Sequence, residues 1–243
     1  MTRHLIIPDS HSMPGISNDR FEWLGKFIFA LKPDVVIDIG DSADMPSLCS
    51  YDHGKVGFDS NRYVDDIAAY HDAMEKLWNP FKKNKKKLPH RIKVRGNHED
   101  RITRAVSFSG IMSGTFSIDD LQEYNWNDEV NEYLYATEID GIKYCHVCPS
   151  PIMGRPLTSV TLARAIIKQE HCSYTVGHVH SRDFHEERGI QSSVVGCYFD
   201  NIHEFAGPAN VNYWRGILVK EEVCNGRYEP HWYSLDRIRK EYG

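Results

Sequence analysis

Ile92-Lys93-Val94-Arg95-Gly96-Asn97-His98-Glu99-Asp100 joins a short strand-like run to a dense polar turn, and the reading of that join decides the fold. A histidine set between an amide and two acids is either a polar surface turn or the centre of a chemical site. The choice depends on whether similar clusters follow other strands. Ile6-Ile7 leads into Pro8-Asp9-Ser10-His11, Val36-Ile37-Asp38-Ile39 into Gly40-Asp41, and Tyr174-Thr175-Val176 into Gly177-His178-Val179-His180. In open α/β sheets the loops at the carboxyl ends of strands converge on one crevice. Four such clusters therefore point to one site.

The flanking sequence supplies the elements that this reading needs. Phe21, Trp23, Leu24, Phe27, Ile28 and Leu31 recur at helical spacing, with Ser17 or Asn18 able to cap and Pro33 just beyond. With strands at 5–7 and 35–39 this gives a β-α-β unit and a parallel pair. Val64, Ile67, His71, Met74 and Trp78 mark a helix that Asn79-Pro80 is expected to interrupt, followed by lysines 82, 83, 85, 86 and 87. A short helix is expected from Glu99. Runs 133–139 and 142–147 read as a hairpin about Asp140-Gly141, and 157–169 as a helix. Antiparallel strands are expected near 191–199, 213–220 and 227–233. No repeat or linker divides the 243 residues, so one domain is expected, with a helical, basic insertion at about 42–90.

Composition narrows the class. A hydrophobic content of 41% suffices for a sizeable core, and a net charge of −5 argues against a chain built mainly to grip duplex nucleic acid. The N-terminus turns polar after three apolar residues, no run is long enough to span a membrane, and six scattered cysteines form no disulfide framework. A soluble cytoplasmic protein is the expectation.

The spacing is informative too. In an extended chain residues i and i+2 project to one side, so Asp9 with His11, and His178 with His180, can each present two donors to one region. His146 can add another imidazole. Nitrogen and oxygen donors without thiolate suit Mn, Fe, Zn, Ni or Co. Two divalent ions offset among these donors only by Asp9 and Asp41 would attract a phosphate and favour a bound hydroxide, the logic of a two-metal hydrolytic site.

Asp9-Ser10-His11, Gly40-Asp41, Gly96-Asn97-His98-Glu99, His146 and Gly177-His178-Val179-His180 resemble, in this order, the motifs of calcineurin-like metallophosphoesterases. The resemblance implies a four-layer α-β-β-α sandwich of two facing mixed sheets. It implies two divalent ions, Mn²⁺ first, with Fe, Zn, Ni, Co or Mg compatible. One ion would be surrounded by Asp9, His11, Asp41 and His180, and the other by Asp41, Asn97, His146 and His178, with Asp41 bridging. His98 would assist the leaving oxygen as a non-ligand.

The phosphoprotein phosphatase pattern G-D-x-x-D-R-G reads here Gly40-Asp41-Ser42-Ala43-Asp44-Met45-Pro46, keeping the second Asp but losing the Arg. Asp44 either orients His98 or caps a turn. Loss of the Arg favours phosphodiesters of nucleotide or nucleic-acid type over phosphoproteins. A phosphomonoesterase or protein phosphatase is the alternative, and a catalytically inactive binding scaffold the reading from another class. Substrate contacts are expected from Asn97, His98 and, in the loop 150–155, Arg155. Glu99, Asp100 and Arg101 read as first-turn capping and pairing. The lysine run reads as a solvated face and is all that supports a nucleic-acid partner. His4, His53, His71, His90, His171, His185, His203 and His231 have no motif context and read as structural, as do Asp19 and Asp38.

Overall fold

The structure, a computed structural model, describes residues 1–50, 60–108, 113–152, 154–201 and 204–243. Residues 51–59 of the 42–90 segment, including His53, lie outside the described residues, as do Met153 and His203.

Short runs of Ile and Val that are buried on both faces build the first sheet. Strands β1 (Thr2–Ile7), β2 (Val35–Asp38), β3 (His90–Val94) and β4 (Glu129–Asn131) are parallel neighbours. The antiparallel strands β10 (Gly216–Cys224) and β11 (Arg227–Ser234) continue it beyond β1. The second sheet has the order β5-β6-β7-β9-β8, comprising β5 (Thr137–Ile139), β6 (Ile142–Tyr144), β7 (Ser173–Val176), β8 (Arg182–Glu187) and β9 (Ile190–Val195). Both sheets are mixed. Ile6, Ile37, Ile92 and Val94 face Ile142, Tyr144 and Val195 across the space between them.

The alternate residues of the first sheet, Leu5, Ile7 and Val36, face the helices α1 (Asp19–Leu31), α2 (Tyr63–Asn84) and α6 (Leu235–Tyr242). Helix α5 (Leu162–Glu170) covers the second sheet through Leu162, Ala163 and Ile166, among which Cys145 and Cys148 are ordinary core residues. Helix, sheet, sheet and helix form the four layers expected from sequence. Burying each large apolar side chain stabilises these layers by about 1.5–3 kcal/mol.

Several expectations give way to packing. Helix α2 runs through Pro80, because Leu77, Trp78 and Phe81 are buried in the α1 interface and outweigh an interior-proline cost of about 3 kcal/mol. Asn18 sits at the α1 N-cap but makes no cap bond, its amide donating instead to Ala69 O at 2.9 Å. The run 133–139 is not one strand. Residues 129–131 pair with β3 in the first sheet, and only 137–139 form the hairpin with β6. The 157–169 helix begins five residues late, at Leu162. Strand β8 was not anticipated, since its charged residues hide the alternation, and neither was the short helix α6, which buries Leu235 and Ile238. Among the described residues no helix is long and apolar enough to cross a membrane.

Candidate metal centre

Every cluster singled out from sequence lies just past the carboxyl end of a strand, and the parallel order of the strands brings those ends together. Asp9, His11 and His180 offer ligand atoms within 4.8 Å of one another, as do Asp41, His146 and His178, and as do His11, Asp41 and His98 between them. Asp9 Oδ2 lies 3.1 Å from His180 Nε2, and Asp41 Oδ2 lies 3.2 Å from His146 Nε2. Asn97 Oδ1 is 3.1 Å from the same His146 nitrogen.

The path of the backbone departs from the extended geometry expected. His11, Asp41, His178 and His180 have φ of 41°, 52°, 71° and 57°, left-handed values that are uncommon for residues with a Cβ. Strand β7 ends at Val176, so the turn at 177–180 splits its two histidines instead of aiming both at one point. His180 joins Asp9 and His11, while His178 joins Asp41 and His146. Such local strain concentrates at functional sites. Gly96 and Gly177 are needed for space. A Cβ on Gly96 would collide with Asp41 Oδ1, and one on Gly177 with Asp9 Oδ1.

Donor chemistry tests whether cations fit here. His146 Nδ1 lies 2.9 Å from Ile39 O, so it donates there and Nε2 keeps its lone pair. That lone pair faces two further acceptors, Asp41 Oδ2 and Asn97 Oδ1. His11 Nδ1 donates to an Asp44 carboxylate oxygen at 2.5 Å, leaving its Nε2 lone pair 3.3 Å from His180 Nε2. Lone pairs facing one another in a buried pocket require a proton or a cation between them. Burial pushes the His146 imidazole pKa down, but Asp41 and Asp9 outweigh it and raise it to about 9. The same negative field suits divalent ions, so the residues fit a dinuclear centre.

His98 stands at the rim of this cluster. Its Nδ1 lies 2.7 Å from Asp44 O and 3.1 Å from Asp44 Oδ1, and its Nε2 lies 3.7 Å from Asp41 Oδ2. Burial lowers the His98 pKa, but Asp41 and Asp44 outweigh it and hold it above the ordinary value. Asp44 thus touches both His98 and His11, a sharing not anticipated from sequence. Arg155 is exposed and has no side-chain hydrogen bond or ion pair with the cluster among the described residues. Met45, standing where the phosphoprotein phosphatase pattern has its Arg, is fully buried in the core.

Three supports escaped the sequence reading. Glu99 does more than cap its own turn. It accepts from Gly96 N at 2.8 Å and also from the amides of Asp41, Ser42 and Ala43 at 2.8–3.1 Å, binding two ligand loops together. Beneath it Lys93, fully buried, donates to Glu99 and Asp38 at 2.9 and 3.0 Å. A lysine inside a buried strand was the available signal, because a buried charge must be paired. Arg20 on α1 donates to Ser10 O and His11 O at 2.7 and 3.0 Å, holding the first loop. By contrast Arg95 points away from the cluster and pairs with Glu123 and Glu132, each at 2.7 Å. The exposed lysine run 82–87 precedes β3, at the end of the strand opposite the cluster.

Comparison with known proteins places this geometry in a family. Among curated proteins none matches the chain in sequence. Vacuolar Protein Sorting 29 from Cryptosporidium parvum is similar in structure at 12% identity and a TM-score of 0.48, covering 96% of each chain. Wild-type Vps29 from Entamoeba histolytica, crystallised with Zn²⁺, is similar at 13% identity and a TM-score of 0.43, over 96% of this chain and 99% of that one. A predicted phosphoesterase from Streptococcus pneumoniae TIGR4 is similar at 11% and 0.38, over 96% and 98%. At such identities the likeness says nothing about activity. The calcineurin-like phosphoesterase profile is decisive, matching residues 2–196, which include every strand-end cluster described above. The chain belongs to the calcineurin-like phosphoesterase family.

Proposed function

We propose that the protein is a metal-dependent hydrolase of phosphate esters, acting on a phosphodiester of nucleotide or nucleic-acid type. The observation that carries this reading is the convergence of imidazole, carboxylate and amide donors from five strand ends, His98 among them; the family resemblance supports His98 as the non-ligand of the set. In this reading Asp9, His11, Asp41 and His180 would hold one ion and Asp41, Asn97, His146 and His178 the other, with Mn²⁺ the first expectation. When bound, two such ions would supply Lewis acidity, activating a water and neutralising charge on phosphoryl oxygens. Asp44 holds the His98 ring through Nδ1, so that Nε2 can deliver a proton to the departing oxygen. The burial of Met45 supports the diester preference, since position 45 cannot grip a terminal phosphate. Residues 1–243 would act as one domain, the 42–90 segment shaping access.

The test is hydrolysis of an aryl phosphodiester beside the matching monoester with Mn²⁺, together with metal content. Asp41→Ala should empty at least one metal position, and normal content in that variant would sink the bridging role. Monoester preference would overturn the diester reading, and absence of metal binding would overturn the hydrolase reading.

A further inference from the structure

Arg101, on the first turn of α3 (Asp100–Phe108), lies at the site in a way that capping does not explain. Its Nη1 donates to Asp44 O at 2.8 Å and to Met45 O at 3.3 Å. Its Nη2 lies 3.2 Å from His98 Nε2. His98 Nδ1 is engaged by Asp44, so in the neutral ring Nε2 offers the lone pair and Arg101 donates to it. Among the described residues no carboxylate lies within ion-pairing distance of this guanidinium, although Asp100 one position earlier pairs with Arg104 at 3.6 Å. Two backbone carbonyls therefore fix one arm of a cation, and the other arm is left at the nitrogen that would meet the departing oxygen.

We propose that Arg101 is a substrate-contacting residue that holds an anionic phosphate oxygen on the His98 side of the site. The proposal rests on the phosphoesterase reading above. A guanidinium presents N–H donors in a rigid fork that suits phosphate oxygens, and the fixed arm pre-orients the free one. The contact that Arg101 makes with His98 Nε2 is then exchanged for one with the substrate, and the freed Nε2 takes a proton from solvent water and passes it to the departing oxygen. A guanidinium favours the more highly charged ester, so Arg101 also sets how well a dianionic monoester competes with a diester.

The experiment compares wild type, Arg101→Met and Arg101→Lys, all full-length and Mn²⁺-loaded. Inorganic phosphate is the probe, titrated by calorimetry, with metal content and thermal midpoint measured alongside. Arg101→Met should weaken phosphate binding tenfold or more while keeping its metals, and should lose more kcat/KM on an aryl monoester than on the diester. Arg101→Lys keeps the charge without the fork and should lie between, which keeps the test decisive if the methionine variant folds poorly. Unchanged phosphate affinity in both variants overturns the proposal, whatever happens to turnover, because a residue that only positions His98 would not alter it. Wild-type protein that holds no metal and hydrolyses neither ester overturns the phosphoesterase reading and this inference with it. Wild-type protein that does both beside variants of unchanged affinity overturns the inference alone.

Discussion

Replacing Lys93 by methionine keeps most of the side-chain volume and removes one charge from beneath the two loops that carry Asp41 and Asn97. The Lys93 and Glu99 side chains are both fully buried, and that of Asp38 is 11% exposed. Losing the ammonium leaves two carboxylates in low dielectric without a counter-charge, a change that costs about 3–5 kcal/mol. Four backbone amides still solvate Glu99, which places the expected loss near the lower end, about 3 kcal/mol. For a chain of this size each kcal/mol lowers the thermal midpoint by roughly 2–4 °C, so a fall of roughly 6–12 °C is expected. The sign of the pH dependence is a second check. Burial already raises the Asp38 pKa, and Lys93 opposes that rise. Without Lys93 the folded-state pKa climbs further above the unfolded value of 3.8, and the folded variant binds protons that the unfolded chain has released. Its stability therefore falls as pH rises through that window, and the variant should be closer to wild type at pH 5 than at pH 7. Urea unfolding at both pH values measures this. A loss under about 1 kcal/mol at pH 7, or an equal deficit at both pH values, would refute the account of Lys93 as the counter-charge of a buried carboxylate pair.

Three further outcomes are expected. His98→Ala should keep its metal content while turnover falls roughly 10²–10⁴-fold, the usual contribution of a general acid, and full activity would dismiss that role. Gly96→Ala forces a methyl against Asp41 and should destabilise the fold by about 1–3 kcal/mol and reduce metal content, with intact metal stoichiometry by elemental analysis counting against the close packing. His4 is fully buried, and burial and then Lys220 lower its pKa from 6.5 to about 4 against the pull of Asp140. The unfolded chain therefore binds the extra proton as pH falls from 6.5 towards 4, and wild type should lose about 3 kcal/mol of stability across that window. Urea titrations of His4→Gln should show a shallower decline, and an identical slope would rule out His4 as its source.

Strands β1, β2, β3 and β7 and helix α1 were legible because their signals are local, whereas the two facing mixed sheets followed only from the family resemblance. Apolar runs buried on both faces mark β1, β2 and β7, and a 3.6-residue period marks α1. Strand β8 was not legible, since Arg182, Asp183, His185, Glu186 and Glu187 mask the alternation and its partner β9 follows after a tight turn. Pro80 misled because local propensity argued for a break, whereas burial of Leu77, Trp78 and Phe81 against α1 decided the matter.

By itself the sequence determined which side chains could meet, because parallel strands deliver their carboxyl-end loops to one crevice and the Asp, Asn and His residues occupy just those loops. Only the tertiary structure decided how they meet. The left-handed turn after β7 sends His178 and His180 to different groups. Asp44 divides its carboxylate between His11 and His98, and Glu99 ties two loops together over Lys93. Arg101 turns its free arm to His98, while Arg155 stays exposed. None of these follows from spacing along the chain. Each depends on φ values and on contacts between residues remote in sequence, which exist only once the two sheets have packed and excluded water from the charges between their loops.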